Sequence, residues 1–412
     1  MSAPTLSEHQ PTDESLSPDL RELHALIEAE RAAFVEGGDG RKRAGYFCAY
    51  TPPEILDAAG LRHARLFRAG SPETVSNGER YTQSVFCDFS KSCIGAFDRA
   101  AGAADPFYLA VDRLYAFHTC ASMKRAVEVI ERFVPTVLLN LPRLRGEAAS
   151  RAYLAAELRT LRDDAAALAG RAVTDDDVSE QILLYNSIRR LVRKLSELRQ
   201  RADPPLTGLD FLEIVRGFYY LPPQVALEAY TKLYRRCAQR HQGKARPARL
   251  LIAGSIMADG DRRLVELVER QAGARIVAED HCTGLRPFRH EIAEAGDPFV
   301  ALANGYLDQA PCARMKPLGD SLDAAATLAR EYEVEGVLYV YLKFCACYGV
   351  SKLAFVERFR EEGVPVLELS SDYSVSDVGQ FATRVEAFLE VLQDRRAERR
   401  QAAPALAQEY RQ

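Results

Sequence analysis

Gly45-Tyr46-Phe47-Cys48-Ala49-Tyr50-Thr51-Pro52-Pro53 is the stretch that decides the fold of this chain. Its apolar residues predict a short strand over 45–50, which the two prolines end. A helix is expected over 53–59, because proline is favoured at a helix start and Gly60 follows as a stop signal. The stretch therefore reads as a strand followed by a helix, which is the first half of a βαβ unit.

The same alternation continues on both sides of a long helical region. Further strands are predicted near 64–67, 108–111, 136–141, 249–254, 274–278, 336–341 and 364–369. Strands that alternate with helices favour parallel sheets, so we predict an α/β protein. Amphipathic helices are expected over 17–35, before the first strand, and over 377–395, after the last.

The length of the chain favours more than one domain, since 412 residues exceed what one hydrophobic core usually serves. The central region is charged and carries apolar residues at helical spacing, which indicates a helical insert. We predict an N-terminal extension and helix over 1–44, a first α/β domain over 45–144, a helical insert over 145–245, a second α/β domain over 246–393 and a charged tail over 394–412.

The charge and hydropathy of the chain argue against two classes of partner. With 54 basic and 58 acidic side chains the formal net charge is -4, which provides no basic field for nucleic acid. Residues 1–20 lack the basic and apolar regions of a secretory signal, and no apolar run approaches the roughly 20 residues that cross a bilayer. We therefore expect a cytoplasmic protein that binds neither nucleic acid nor membrane.

Nine cysteines are spread along the chain, and six of them lie at or near the ends of predicted strands. In open α/β sheets, ligands bind outside the carboxyl ends of the strands, where the loops face a shared crevice. Zinc sites use closely spaced cysteine pairs, so thiolates this scattered indicate an iron–sulfur site built by the tertiary fold. The competing interpretation is that each cysteine is a small buried hydrophobe. The six are Cys48, Cys87, Cys120, Cys282, Cys312 and Cys345.

Other polar residues near these loops are candidates for proton transfer or for binding an anionic group. Glu54, His281 and Arg286 are predicted as catalytic residues because each lies close to a cysteine-bearing loop. Capping and packing roles compete with this interpretation for each of them. The glycine-rich turn at 254–260 lacks the Gly-Lys-Ser/Thr of a phosphate-binding loop, so nucleotide hydrolysis would need another polypeptide.

Several segments together resemble the family of 2-hydroxyacyl-CoA dehydratases and benzoyl-CoA reductases. The resemblance runs from about residue 45 to residue 392, and it implies two flavodoxin-like (Rossmann-like) parallel-sheet domains with a helical portion, a cluster between the domains and a dimer. The matching stretches are the opening segment, Phe86-Cys87-Asp88-Phe89-Ser90-Lys91, Glu279-Asp280-His281-Cys282-Thr283-Gly284, Lys343-Phe344-Cys345, Ser371-Asp372-Tyr373-Ser374 and Gly379-Gln380-Phe381-Ala382-Thr383-Arg384.

The resemblance also implies a partner and a cofactor. In this family a separate ATP-dependent activator, which carries its own [4Fe-4S] cluster, injects low-potential electrons. Ordinary dehydratase subunits hold one [4Fe-4S] cube with three cysteines, which by position would be Cys87, Cys120 and Cys345.

Six cysteines at these positions resemble instead the double-cubane branch of the family, whose [8Fe-9S] centre reduces small, inert molecules. Cys48, Cys282 and Cys312 would complete that set, although Pro311-Cys312-Ala313-Arg314 matches the family only loosely. Cys93 lies close enough to Cys87 in sequence that the choice between them stays open. The roles of the other two cysteines, Cys237 and Cys347, also stay open.

We therefore expect an iron–sulfur redox enzyme that takes electrons from an ATP-dependent activator and reduces a small substrate. The enzymatic alternative is a subunit of a 2-hydroxyacyl-CoA dehydratase or benzoyl-CoA reductase, which acts on a CoA thioester by radical chemistry. Six bound thiolates favour the first, whereas three thiolates with a paralogous partner subunit favour the second. A non-catalytic electron-transfer protein is the alternative of another class, and it would lack a substrate cavity.

Overall fold

The computed structural model describes residues 16–409 except 69, 103, 241, 242, 244, 245, 260, 271–273 and 375. The first part of the predicted N-terminal extension, 1–15, and the end of the predicted tail, 410–412, lie outside the described residues. Helix α1 (Arg21–Glu36) follows a 3-10 turn and confirms the predicted N-terminal helix. No helix in the part of the chain that the structure describes is long and apolar enough to cross a membrane.

Two four-stranded parallel sheets form the scaffold. The first has the order β2-β1-β3-β4 and consists of β1 (Arg43–Tyr46), β2 (Arg62–Arg65), β3 (Arg113–His118) and β4 (Thr136–Asn140). The second has the order β6-β5-β7-β8 and consists of β5 (Ala248–Gly254), β6 (Ala274–Asp280), β7 (Gly336–Leu342) and β8 (Val366–Ser371). Both sheets show the doubly wound order of a flavodoxin-like fold, which confirms the predicted fold class.

Helices connect and cover the strands. Those of the first sheet are α2 (Pro53–Ala58), α3 (Pro72–Glu79), α4 (Asp88–Phe97), α5 (Pro106–Leu109) and α6 (Ala121–Ile130). Four helices lie between the sheets in sequence: α7 (Ala148–Ala169), α8 (Asp175–Glu197), α9 (Gly208–Tyr220) and α10 (Pro223–Ala238). Those of the second sheet are α11 (Arg263–Arg270), α12 (Pro298–Asp308), α13 (Leu318–Glu331), α14 (Ala346–Glu361) and α15 (Ser376–Glu409). The boundaries of the five predicted segments remain predictions.

Helix α9 joins the two sheets. All of its residues are buried, and it contacts β2 of the first sheet and β6 of the second. Thr207 caps the helix, because its hydroxyl accepts a hydrogen bond from the amide of Asp210 while the Asp210 carboxylate accepts one from the amide of Thr207. A helix with no solvent-facing side belongs to a core, so the two sheets share one packed interior.

The strand predicted at 108–111 is wrong. That segment begins in the second half of helix α5, which forms because the Asp105 carboxylate accepts a hydrogen bond from the Phe107 amide at 2.9 Å and Pro106 occupies the first helical position. The strand lies further along the chain as β3, where residues 114–117 are buried. The strand propensity of Tyr108 and its neighbours is therefore overridden by a helix-start signal.

Candidate functional site

Three of the predicted ligands occupy the same structural position. Cys87 is the N-cap of α4, Cys120 is the N-cap of α6 and Cys345 is the N-cap of α14. The free amide groups at a helix start carry partial positive charge, which favours a thiolate over a thiol. The Cys120 sulfur, for example, accepts a hydrogen bond from the Met123 amide at 3.5 Å. We call these three residues the first cysteine group.

The first cysteine group lines a cavity of about 270 Å³. The thiols of Cys87 and Cys345 hydrogen-bond to each other, and Cys120 lies close enough to Cys87 for their charges to interact. Cys347 and Arg314 line the same cavity. Two of the three thiols come from segments of the first sheet and the third follows β7, so the cavity lies where the two sheets meet.

The cavity lowers the pKa of two of its thiols. A hydrogen bond with Cys347 is the main cause that lowers the pKa of Cys120 to about 4, and the Arg314 cation adds to it. A hydrogen bond with Cys87 likewise lowers the pKa of Cys345 to about 6, with Arg314 again contributing. These shifts favour the thiolate forms of Cys120 and Cys345, which are the forms that would ligate a cluster.

Cys48, Cys282 and Cys312 form the second cysteine group, in which the charge of Cys48 interacts with the charges of the other two. Arg65, at the end of β2, donates hydrogen bonds to the Cys282 sulfur at 3.0 Å and to the Cys282 carbonyl at 2.5 Å. Burial alone would raise the pKa of Cys282, but the charges of Arg65, Arg286 and Arg314 and the hydrogen bond from Arg65 together outweigh it and lower that pKa. Burial raises the pKa of Cys48 to about 12.

Arg314 lies between the two cysteine groups. Its charge interacts with Cys120 and Cys345 of the first group and with Cys312 of the second. Its Nε is buried and has no hydrogen-bond partner among the described residues. Buried thiolates need a nearby cation, because an isolated buried charge is costly. Arg314 therefore supplies positive charge to both groups, which adjoin each other.

The donor set fits an iron–sulfur cluster better than a single metal ion. Among the residues that the structure describes, no three Cys, His, Asp or Glu side chains are placed to hold one ion. A [4Fe-4S] cube has a different requirement, since each thiolate binds a separate iron at a different corner. Three thiols at helix N-termini around one cavity, with a cation beside them, meet that requirement.

Glu54, a predicted catalytic residue, is held in a buried ion pair. It is fully buried at the start of α2. One carboxylate oxygen accepts a hydrogen bond from Arg189 of α8 at 2.5 Å, and the other accepts one from the Tyr306 hydroxyl of α12 at 2.9 Å. These contacts connect α2 to α8 and α12, so the visible role of Glu54 is to position those helices. A catalytic role stays a prediction.

The other two predicted catalytic residues, His281 and Arg286, lie beside the second cysteine group. Burial, together with the charges of Arg286 and Arg65, lowers the pKa of His281 to about 3, so its ring is neutral at physiological pH. Nδ1 of the ring lies 3.0 Å from the Thr283 hydroxyl, and Nε2 has no partner among the described residues. Arg286 donates hydrogen bonds to the Asp280 side chain and to the Tyr348 hydroxyl at 3.0 Å, and its charge interacts with Cys312.

From the sequence, either Cys87 or Cys93 is a candidate cluster ligand, and their positions in the structure favour Cys87. Cys87 lines the cavity, whereas Cys93 is fully buried within α4, where burial is the only cause that raises its pKa. Three residues of the site are not found by sequence reasoning: Arg65, Arg314 and Cys347. A charged residue at the end of the short strand β2 is a usable signal for Arg65, because an arginine in a buried strand needs a specific partner.

The chain matches a known family over most of its length. Residues 48–392 match the family described as 2-hydroxyglutaryl-CoA dehydratase, D-component. The putative dehydratase subunit YjiM of Escherichia coli (strain K12) is 31% identical over 390 residues, which cover 92% of this chain and 100% of YjiM.

Two further relatives are named as parts of enzymes. A subunit of the benzoyl-CoA reductase of Thauera aromatica is 25% identical, over 81% of this chain and 86% of its own length. The (R)-phenyllactyl-CoA dehydratase beta subunit of Clostridium sporogenes is 23% identical, over 86% of this chain and 92% of its own length. With the cysteine groups at the meeting edge of two flavodoxin-like sheets, these matches show that the chain belongs to the 2-hydroxyglutaryl-CoA dehydratase D-component family, whose members include dehydratase and reductase subunits.

Proposed function

We propose that this protein is an iron–sulfur redox enzyme that accepts low-potential electrons from an ATP-dependent activator and reduces a small substrate. The observation that carries the proposal is the gathering of six predicted ligands into two adjoining groups with Arg314 between them. Membership of a family that contains reductase and dehydratase subunits supports it. The protein would act as a homodimer or with a paralogous subunit.

In the double-cubane form of this proposal, each cysteine group holds one half of an [8Fe-9S] centre. When bound, such a centre supplies electrons at low potential. The chain contributes the environment: helix N-termini and Arg314 stabilise the negative charge of the first cysteine group. Arg65 fixes the orientation of Cys282 in the second group through two hydrogen bonds.

Three side chains are proposed to act on the substrate or to position groups that do. Nε2 of the neutral His281 ring has no hydrogen-bond partner among the described residues, and in this proposal it hydrogen-bonds to a substrate atom. Arg286 orients the Tyr348 hydroxyl and adds positive charge beside Cys312. Glu54 acts indirectly, because its ion pair with Arg189 keeps the start of α2 in place next to the loop that carries Cys48.

A second candidate function is favoured by the shape of the site. The cavity of about 270 Å³ is lined by the first cysteine group and by none of Cys48, Cys282 and Cys312. A cavity beside three thiols is what a subunit with one [4Fe-4S] cube needs, since the fourth iron can then meet a substrate. In that case the protein would be a subunit that acts on a CoA thioester with a paralogous partner.

Iron and sulfide analysis distinguishes the candidates. The protein is purified anaerobically, and iron and acid-labile sulfide are counted per chain for the wild type, Cys48→Ser and Cys282→Ser. About eight irons that fall in both variants support the double-cubane form, and about four that stay unchanged support the single cube. Cys237→Ser is the control, because Cys237 is buried in α10. A wild-type chain without iron would refute both candidates.

A further inference from the structure

Cys347 lies against the first cysteine group, although sequence reasoning assigns it no role. It lines the same cavity as Cys87, Cys120 and Cys345, and its thiol hydrogen-bonds to Cys120. It is in the first turn of α14, shortly after the N-cap Cys345. The cavity is therefore surrounded by four thiols rather than three.

The position equivalent to Cys347 in the first sheet is occupied by Ser122, which has a hydroxyl instead of a thiol. Cys120-Ala121-Ser122 follows β3 and Cys345-Ala346-Cys347 follows β7, and in each the first cysteine is a helix N-cap. Ser122 and Cys347 thus hold corresponding places, and both line the cavity. Cys347 therefore supplies a thiol at the position where Ser122 supplies a hydroxyl.

The contacts of Cys347 do not distinguish it from the three predicted ligands. The four thiols form two hydrogen-bonded pairs, Cys87 with Cys345 and Cys120 with Cys347. The charge of Arg314 interacts with Cys347 as it does with Cys120 and Cys345. Cys93 is different, since no other thiol contributes to the shift of its pKa.

We propose that Cys347 is a fourth ligand-donating thiol of the first cysteine group. It binds the iron that the other three thiols leave open, and it gives up its proton to solvent as the iron–sulfur bond forms. When a substrate or the second half of a double cubane takes that iron, the bond breaks and the thiolate takes a proton back. The inference rests on the proposed function, because it requires a cluster in this cavity.

The test is made on a chain in which only the first cysteine group can be loaded. Cys48→Ser/Cys282→Ser serves as the parent, and Cys347→Ala and Ser122→Ala are added to it separately. All three proteins are reconstituted anaerobically with iron and sulfide. Cyanide labelled with carbon-13 is the probe for an open iron, and its binding is followed by electron–nuclear double resonance of the reduced cluster.

We expect Cys347→Ala to bind cyanide roughly tenfold more tightly than the parent, a difference of about 1.4 kcal/mol, because no thiolate of the chain then competes with cyanide for the open iron. The same variant should lose its fourth iron faster on mild oxidation, with the electron paramagnetic resonance signal of a [3Fe-4S] cluster. Ser122→Ala should behave like the parent, because it changes the same cavity without removing a thiol.

Equal cyanide binding in the parent and in Cys347→Ala, with both fully loaded, would overturn the inference and leave the proposed function intact. A wild type that takes up no iron would overturn both. Cys347→Val is the second variant, since valine is close to cysteine in size and cannot bind iron. Its circular dichroism and gel filtration without cluster show whether the fold is intact. If Cys347→Val folds and loads but keeps the cyanide affinity of the parent, the fourth-ligand role is likewise refuted.

Discussion

The two sheets have the same strand order but differ in what they place at corresponding strand ends. After the third strand of each sheet the residue at the helix N-cap is a cysteine, Cys120 in one and Cys345 in the other. After the first strand, the first sheet has Cys48, whereas the second has Ser255, whose hydroxyl accepts a hydrogen bond from the Leu342 amide at 3.2 Å. The shared position supplies two thiols of the first cysteine group, and the position that differs supplies Cys48 to the second.

Neither cysteine group is complete on one sheet. The first takes two thiols from segments of the first sheet and one from the second, and the second group takes one from the first sheet and two from the second. A cluster in either group therefore depends on how the two sheets are held together. Residues that join the sheets should matter to the site even when they touch no cysteine.

The largest effect is a loss of iron, expected when the cysteine at the N-cap position shared by the two sheets is replaced. If Cys120 and Cys345 are equivalent, Cys120→Ser and Cys345→Ser should lower the iron content of the first cysteine group substantially and to the same extent, because each removes one thiolate that anchors the cluster at a helix N-cap. Iron and sulfide counts after anaerobic reconstitution measure this. Cys237→Ser is the control, and full iron in either variant would show that the two positions are not equivalent.

The next largest effect is expected at Arg65, which ends β2 of the first sheet and hydrogen-bonds to Cys282, just after β6 of the second. Arg65→Leu should lower the free energy of unfolding by about 3 kcal/mol, since it removes three buried hydrogen bonds: the one to the Phe47 carbonyl, the one to the Cys282 sulfur and one of the two to the Cys282 carbonyl, which keeps only the Tyr219 hydroxyl. Urea unfolding of the cluster-free chain measures it. Arg65→Lys keeps the charge but loses the two-pronged hydrogen bond, and it should lose less. A change below about 0.5 kcal/mol in Arg65→Leu would show that Arg65 does not connect the sheets.

A smaller effect is expected for the buried ion pair of Glu54. Glu54→Gln should lower the free energy of unfolding by about 2 kcal/mol, because Arg189 stays buried without a compensating charge. The matched control is Glu128→Gln, whose partner Arg125 is exposed, and it should cost less than about 0.5 kcal/mol. Equal effects of the two substitutions would contradict the role assigned to burial.

The smallest loss of stability is expected when the Tyr306 hydroxyl, the second partner of Glu54, is removed. Tyr306→Phe removes the hydrogen bond to Glu54 and a longer one from Arg189 at 3.3 Å, while the bond from Arg189 to Glu54 stays, so the loss should be about 1 kcal/mol. Differential scanning calorimetry or urea unfolding resolves a change of this size. Tyr153→Phe, on the exposed side of α7, is the control. A loss larger than that of Glu54→Gln would mean that the hydroxyl, rather than the carboxylate, holds the two halves together.

Most of the fold follows from local sequence patterns. The strands that carry the site end where the apolar runs end, as in β5 and β7, and the N-terminal helix follows the spacing of Leu23, Ile27 and Phe34. The error at 108–111 arises because aromatic residues suit both a strand and a buried helix, and the capping residue Asp105 decides between them. A short helix of this kind is recognisable only from its cap.

Less of the candidate site than of the fold can be predicted from the sequence. Cysteines at strand ends can be recognised, because the ends of parallel strands meet at one edge. Arg314 and Cys347 cannot, since their importance depends on which thiols lie beside them across the cavity. The separation into two groups also depends on the packing of one sheet against the other, which no local pattern encodes.

The cysteine N-caps link the rigidity of three helix starts to metal loading. Sulfur is a weak hydrogen-bond acceptor, so helices α4, α6 and α14 begin with a poor cap as long as their cysteines are thiols. A thiolate is a stronger acceptor, and metal loading would therefore tighten the first turn of α4 most, because the pKa of Cys87 lies well above its usual value and those of Cys120 and Cys345 lie below theirs. The amide protons of these turns should exchange with solvent more slowly after loading, which makes helix fraying a reporter of cluster assembly.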